Sequence, residues 1–214
     1  GRQVSRIPTK VIVASIPLGM AIFCAIFAPW LAPHDPLKAD LRSRLAPPIF
    51  QKGGTWDHIL GTDHIGRDVL SRIIFGARIS LFVGLASVLM GDSIGLIWGA
   101  ISGYFGGRVD LTSQRVLDVL QSFPGLILAM LLLVGTGAGL RTVVIAIAAT
   151  RVPISTRVIR AVALSVKEFA FVESARALGG SSGRIMLRHI APQCIAPFLV
   201  VATGNIGVAI TTEA

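Results

Sequence analysis

Apolar residues along this chain fall into runs about as long as a membrane-crossing helix, and charged residues collect between them. A hydrocarbon core of about 30 Å takes roughly 20 apolar residues as helix. Such runs cover residues 11–31, 80–103, 112–134 and 141–165, and a fifth starts near Pro192 and continues to the last residue. Backbone polar groups in lipid must be satisfied internally, so these runs predict helices. Two segments break the pattern. In "GTDHIGRDVLSRIIFGARIS" (61–80), Val69, Leu70, Ile73, Ile74 and Ala77 lie at helical spacing opposite Arg67, Asp68, Ser71 and Arg72. That predicts an amphipathic helix lying on the outer membrane surface before the second span, or a packed connecting helix.

The second break is "VESARALGGSSGRIMLRHIAP", residues 172–192. Phe171, Ala175 and Leu178 share one face, Gly179 and Gly180 end a first short helix, and Ser181 or Ser182 can cap a second. The second helix carries Ile185, Met186, His189 and Ile190 on one side, and Pro192 marks the entry to the fifth span. Glu173, Arg176, Arg184 and Arg188 remain outside. The segment reads as two short helices lying across the ends of the spans, either a handle for a moving partner or a structured loop.

Composition agrees with a membrane protein: 53% of residues are hydrophobic and 14% charged, the latter roughly half the usual soluble fraction. The net charge of +9 could suggest nucleic acid. However, basic residues in short loops set topology and meet anionic lipid, and five Asp are interleaved with the seven Lys and Arg of residues 32–79. Membrane lipid is therefore the expected polyanionic neighbour, and no nucleic acid is expected. Arg2, Arg6 and Lys10 ahead of the first span put the N-terminus in the cytoplasm. Counting crossings from there puts the 167–192 loop in the cytoplasm as well. The first span is too long for a signal-peptide core and reads as a retained helix. The apolar stretch at the end suggests a truncated C-terminus.

Gly91, Gly95, Gly99 and Gly103 recur at every fourth residue and draw a bare stripe down the second span, the kind of surface that lets membrane helices approach closely. Pro124 and Gly125 interrupt the third span and Pro153 the fourth. Asp92, Asp118, Arg151, Arg157 and Arg160 lie within or at the edges of spans, where charge is costly. Asp92, Pro124, Arg151, Pro153 and Arg157 are candidates for a pathway or gate; structural pairing and snorkelling are the alternative. Cys24 and Cys194 read as small apolar residues, and no metal-ligand spacing is visible among His34, His58, His64 and His189. There is no phosphate-binding loop, and no Ser/His/Asp, Cys/His or paired-carboxylate arrangement points to catalysis. An energy source would have to come from a partner, and no cofactor is expected on this chain.

The 172–192 segment resembles the EAA loop of permease subunits in bacterial ABC importers, which is Glu-Ala-Ala, three residues, Gly, nine residues, then Ile-x-Leu-Pro. Glu173, Ala175, Gly179 and Pro192 match at the right spacing. Ser174 replaces the middle Ala, and His189 and Ala191 replace the Ile and Leu. "E-x-A-R-A-L-G", "R-H-I-x-P", "GTDHIGRDVLSRIIFGARISL", "GYFGGRVD" (103–110) and "FPGLILAM" (123–130) are similar to the dipeptide/oligopeptide/nickel branch, second-type permease subunit. The resemblance covers essentially residues 55–214.

The resemblance implies an all-α polytopic fold. Residues 1–32 would be an N-terminal tail and first helix, 33–79 an extracytoplasmic loop, and 80–214 a permease core that includes the 167–192 loop. It also implies a multi-pass protein of the bacterial inner membrane. Glu173, Ser174, Ala175, Ala177, Gly179 and Pro192 would dock an ATP-binding subunit, with ATP and Mg on that partner. Two such subunits, a homologous permease in a heterodimer, and an extracytoplasmic solute-binding protein touching residues 32–64 and 135–141 complete the implied assembly. The implied function is peptide import, or import of a related small solute, by a non-enzymatic subunit. The alternative is a self-contained channel or secondary transporter using Asp92 or Arg151 for an ion. The docking loop argues against it, and no internal repeat of the kind such transporters carry is visible.

Overall fold

The computed structural model describes residues 9–213; Arg2 and Arg6, on which the orientation of the first span rests, lie outside the described residues. Helix α1 (Thr9–Leu31) leads through a segment of successive turns, one of them 3-10 (Leu41–Ser43), into α2 (Val69–Phe105). Then come α3 (Gly107–Ser122), α4 (Gly125–Thr136), α5 (Leu140–Val166) and α6 (Ala170–Ala177). Last are α7 (Ser182–Ile185), a π turn (Met186–Ile190) and α8 (Ala191–Glu213). Among the described residues three helices are long and apolar enough to cross a bilayer, or four if the bent pair α3–α4 is one span. Contacts divide the chain into two units, residues 1–82 and 83–214.

In the first unit the expected surface helix over 61–80 is different in kind. Residues 61–68 form a tight turn, and the helix begins at Val69 and continues unbroken to Phe105. The reason is Asp63. Its carboxylate accepts the backbone N–H groups of Ile65 and Arg67, both at 3.0 Å, and the Arg67 side chain at 2.8 Å. Those donors are thereby withheld from helix. Asp68 then accepts the Ser71 N–H at 2.8 Å, which is how an N-cap starts a helix. Gly66 has φ +80° and packs so closely that a Cβ there would lie 1.8 Å from the Asp40 carbonyl oxygen. The Gly-Thr-Asp-x-x-Gly-Arg-Asp run is thus a turn with a capped exit.

In the second unit, α2 and α5 run parallel, because Gly91 meets Ala148 and Arg151, Gly95 meets Ser155, Gly99 meets Ile159 and Gly103 meets Ala163. Two parallel spans need a return crossing between them. The α3–α4 pair supplies it: Asp110 reaches Arg160, Asp118 reaches Arg157, Gly125 touches Thr150, and Thr136 bonds Thr142. The pair therefore walks back along α5 even though its two helices meet at 88°. A single kinked span was expected at 112–134. Instead, Phe123 is extended and Pro124 caps α4, giving a right-angle corner. Helix α8 then runs antiparallel to α5, with Cys194 packed beside Ile159 and Ala163 and Asn205 reaching Arg151.

Large apolar residues remain outward: Leu126, Met130, Leu131 and Val134 on α4, and Phe82, Leu89 and Ile97 on α2 are exposed. Such a surface belongs in lipid or against another membrane helix. Pro153, expected to interrupt its span, is buried within a continuous α5. Cys24 and Cys194 are both free, and Cys194 is fully buried.

Candidate functional site

The hairpin between α5 and α8 is an exposed tip on a buried root. Val172, Ile185 and Ile190 are buried in one cluster with Ala100 and Tyr104 of α2, Ile159, Ala163 and Val166 of α5, and Cys194 of α8. Ala175 packs on the same cluster. Burying side chains of this size contributes about 1.5–3 kcal/mol each, so the root moves with the ends of three helices. The sequence put Phe171, Ala175 and Leu178 together on one apolar face. The structure turns α6 so that Val172 and Ala175 point in, while Phe171 and Leu178 are exposed, Leu178 at 89%. Of the face expected for the second helix, Ile185, Met186 and Ile190 pack into this cluster, whereas His189 is half-buried beside Phe171, with ring centroids 5.9 Å apart.

Turn chemistry explains the reversal of the chain. Gly179 has φ +79°, a left-handed conformation that glycine adopts without penalty. The Gly180 N–H bonds the Ala175 carbonyl at 3.0 Å, and a Cβ on Gly180 would meet that oxygen at 2.7 Å. The serine cap expected at 181 or 182 is absent: Ser181 occupies the N-cap position but its side chain accepts no capping bond. The second helix of the hairpin needs none at its far end. It passes through the π turn directly into α8, so Pro192 lies inside a continuous helix rather than at the start of a new one.

Glu173, Ser174, Arg176, Ala177 and Gly179 are all exposed at the tip. The Ser174 hydroxyl donates to the Ala170 carbonyl at 2.8 Å, so the serine standing where the pattern has Ala turns inward onto its own helix. Acid in the first turn and Arg176 in the last also complement the helix dipole of α6.

Above the hairpin root lies the glycine seam. A Cβ would sit 2.6 Å from the Ala148 carbonyl oxygen at Gly91, and 2.5 Å from Ser155 Cβ at Gly95. The figures are 2.5 Å from the Thr156 carbonyl oxygen at Gly99 and 2.7 Å from Ala163 Cβ at Gly103. Beside the seam, Asp92 is fully buried and accepts hydrogen bonds from the Ser155 hydroxyl and from Asn205 Nδ2, the latter at 3.1 Å to its Oδ2. Arg151 donates from Nη1 to Asn205 Oδ1 at 3.2 Å. Asp92, Arg151 and Pro153, considered for a pathway, are thus interior to this unit. Their polar groups tie α2, α5 and α8 together, because a buried charge or amide must find a partner. Pro124 and Arg157 remain on the surface, Arg157 paired with Asp118 at 2.7 Å. Arg160 forms a second pair with Asp110, which also accepts from Ser102 at 2.6 Å.

Replacing Asp92 with Ala leaves Ser155 and Asn205 without their acceptor. A loss of about 1–3 kcal/mol is expected for the orphaned groups, read as a lower unfolding temperature of the purified protein in detergent. An unchanged temperature would mean the network carries no stability. Asn205 was not singled out from the sequence; the signal was an amide in the middle of a mostly apolar run.

In the first unit, His34, His58 and Asp68 come together although their spacing suggested nothing. Burial opposes ionisation of Asp68, but the Ser71 hydroxyl and N–H and the His58 ring offset it and hold the carboxyl below its ordinary range. Asp63 behaves alike: desolvation is outweighed by the Arg67 and Ile65 N–H groups and the Arg67 side chain, leaving it well below the usual carboxylate value.

Comparison with known proteins gives this geometry its context. Residues 95–214, more than half of the chain, match the family described as binding-protein-dependent transport system inner membrane component. The chain belongs to that family. Residues 11–48 match the N-terminal TM domain of oligopeptide transport permease C. The chain is 37% identical over 195 residues to the di/tripeptide transport system permease protein DppC of Pseudomonas aeruginosa, covering 91% of this chain and 64% of that protein. It is 38% identical over 186 residues to the dipeptide transport system permease protein DppC of Haemophilus influenzae (87% and 63%). It is 37% identical over 195 residues to the oligopeptide transport system permease protein OppC of Bacillus subtilis (91% and 62%). The chain spans a little under two thirds of the length of these relatives. The family is a transport family rather than an enzyme family, and with the helices above it makes this chain a multi-pass membrane protein.

Proposed function

We propose that this chain is a permease subunit of an ATP-driven importer for peptides or a related small solute. It forms half of the pathway beside a homologous permease and itself carries no catalytic activity. The observation that carries this reading is the hairpin: an exposed tip of Glu173, Ser174, Arg176, Ala177 and Leu178 on a root buried among the ends of α2, α5 and α8. A push on that tip reaches three spans through packed side chains rather than through a flexible loop. Leu178, 89% exposed, adds apolar surface to that tip.

ATP and Mg would be held by two partner subunits, and an extracytoplasmic binding protein would deliver cargo. The names of the relatives support peptides as cargo. Parallel α2 and α5, joined by a returning α3–α4, keep the crossing count that places the hairpin in the cytoplasm if the N-terminus is cytoplasmic, as Arg2, Arg6 and Lys10 suggest. The pathway reading is retained for Pro124 and Arg157, which are exposed. The charges that an ion-driven transporter would use, Asp92 and Arg151, are engaged with Ser155 and Asn205.

Cross-linking tests the docking role. With Cys24 and Cys194 replaced by Ala, Ala177→Cys is expected to cross-link to a single cysteine in the groove of the ATP-binding subunit, with a yield that changes when ATP is added. A folded complex giving no cross-link at any groove position would remove the coupling role.

A further inference from the structure

Two histidines of the 32–64 segment, neither singled out for a role in transport, stand side by side in the first unit. The His34 and His58 rings have centroids 4.8 Å apart, tilted by 37°. Their Nδ1 atoms converge on one oxygen, Asp68 Oδ1, which lies 3.0 Å from His58 and 4.0 Å from His34. The Asp68 side chain is 1% exposed, that of His58 13% and that of His34 36%. One ligand atom from each of the three lies within 4.8 Å of the others. His34 Nδ1 is buried and makes no hydrogen bond, although a carboxylate faces it.

The surroundings are those of a ligand set. Asp68 Oδ2 is taken by the Ser71 N–H at 2.8 Å, which fixes the carboxylate and leaves Oδ1 for the histidines. The Ser71 hydroxyl accepts the His34 backbone N–H at 3.0 Å and anchors that residue from behind. On the opposite edge of both rings, Asp57 lies 3.5 Å from His34 Nε2 and 3.8 Å from His58 Nε2. Histidines that bind metal through one nitrogen usually direct the other N–H to a carboxylate, which sets the tautomer and strengthens the ligand. The trio opens into a cavity of about 380 Å³ that Asp35, Asp40 and Asp57 also line together with Lys38, so carboxylates outnumber the one ammonium group at the entry.

We propose that His34, His58 and Asp68 bind a divalent transition-metal ion, with zinc as the representative, and that Asp57 is the outer partner of both imidazoles. Two imidazole nitrogens and one carboxylate suit zinc and its neighbours, whereas magnesium and calcium prefer oxygen ligands throughout. Bonds of about 2.0–2.2 Å let one ion touch atoms up to roughly 4 Å apart. The pair at 4.0 Å is within that reach, and the partly exposed His34 ring is the group that shifts to close the rest. His58 Nδ1 and Asp68 Oδ1 lie 3.0 Å apart. On binding, the Nδ1 lone pair goes to the ion and the ring proton sits on Nε2, the edge that faces Asp57. Solvent completes the coordination.

The test uses the protein in nanodiscs, purified with any subunits that accompany it, stripped with a chelator and free of nucleotide. Cobalt is titrated first, because its visible absorption reports nitrogen and oxygen coordination, and zinc is then used to displace it. Expected is about one ion per copy of this chain that disappears selectively. His34→Gln and His58→Gln should each weaken binding at least tenfold, with an unchanged elution profile of the complex. Absence of a cobalt spectrum in the wild type would overturn the proposal. So would the same affinity in both variants, since the ion would then sit elsewhere. If His58→Gln fails to assemble, His34→Gln decides alone, because that ring is partly exposed and the residue is anchored through its backbone. Transport is not measured, so the outcome is independent of the permease reading.

Discussion

Gly95→Leu is expected to abolish accumulation of the folded protein. A Cβ at this position would already lie 2.5 Å from Ser155 Cβ and 3.0 Å from the Thr156 backbone nitrogen, so even Ala cannot fit without parting α2 from α5. Overpacking a tight interior costs about 1–3 kcal/mol when side chains can yield. Here two of the nearest atoms are backbone, and the remaining Leu atoms have nowhere to go. Separating the seam also breaks the Ser155–Asp92 bond beside it and moves Arg160 away from Asp110. The control is Gly204→Ala in α8, where nothing lies within 4 Å of the added atom. It should be neutral, or more stable by up to about 1 kcal/mol from helix propensity. Membrane levels and the monodisperse fraction after extraction measure both. A folded, active Gly95→Leu protein would mean that the parallel α2–α5 contact is not the core of this unit.

Gly179→Val should give the opposite profile, with normal levels and transport reduced tenfold or more. Nothing lies within 4 Å of a Cβ here, so the effect cannot come from a clash with a neighbour. It comes from φ +79°, where a β-branched residue costs about 1–3 kcal/mol and the turn opens instead. The Gly180 N–H then leaves the Ala175 carbonyl, and the exposed tip rotates away from its buried root. Asn tolerates this backbone conformation, so Gly179→Asn should restore most transport. ATP-dependent peptide uptake in reconstituted vesicles separates the cases. Equal uptake by the Val variant and the wild type would show that the shape of this turn does not matter for coupling.

These two glycines differ in how visible their roles were. The stripe of Gly91, Gly95, Gly99 and Gly103 announces a close helix contact through its period alone, though not with which helix. Gly179 announces a helix end by standing after an amphipathic stretch. The face of α6 was misread because eight residues hold too few turns for periodicity to distinguish Phe171 and Leu178 from Val172; the neighbouring ends of α2 and α5 settled it. At 61–68 the pattern of apolar positions was correct for helix from Val69 onward. Before it, side-chain bonds from Asp63 outcompeted the helix, which periodicity does not register. The right angle at Pro124 has a similar origin: proline predicts a disturbance, but the size of the bend depends on the α5 surface along which both halves run.

Local chemistry, readable residue by residue, therefore determined the class of this protein. Long apolar runs cannot be anything but helices in lipid, glycine spacing marks a seam, and a Gly-Gly break between short amphipathic stretches makes a hairpin. Only the tertiary structure decided which distant residues share a site. Asn205 meets Asp92, Arg160 meets Asp110, and His34 meets His58 and Asp68 across intervals that carry no period. Those pairings follow from where packing places whole helices and turns, and no local propensity encodes a distance between two points that only the fold brings together.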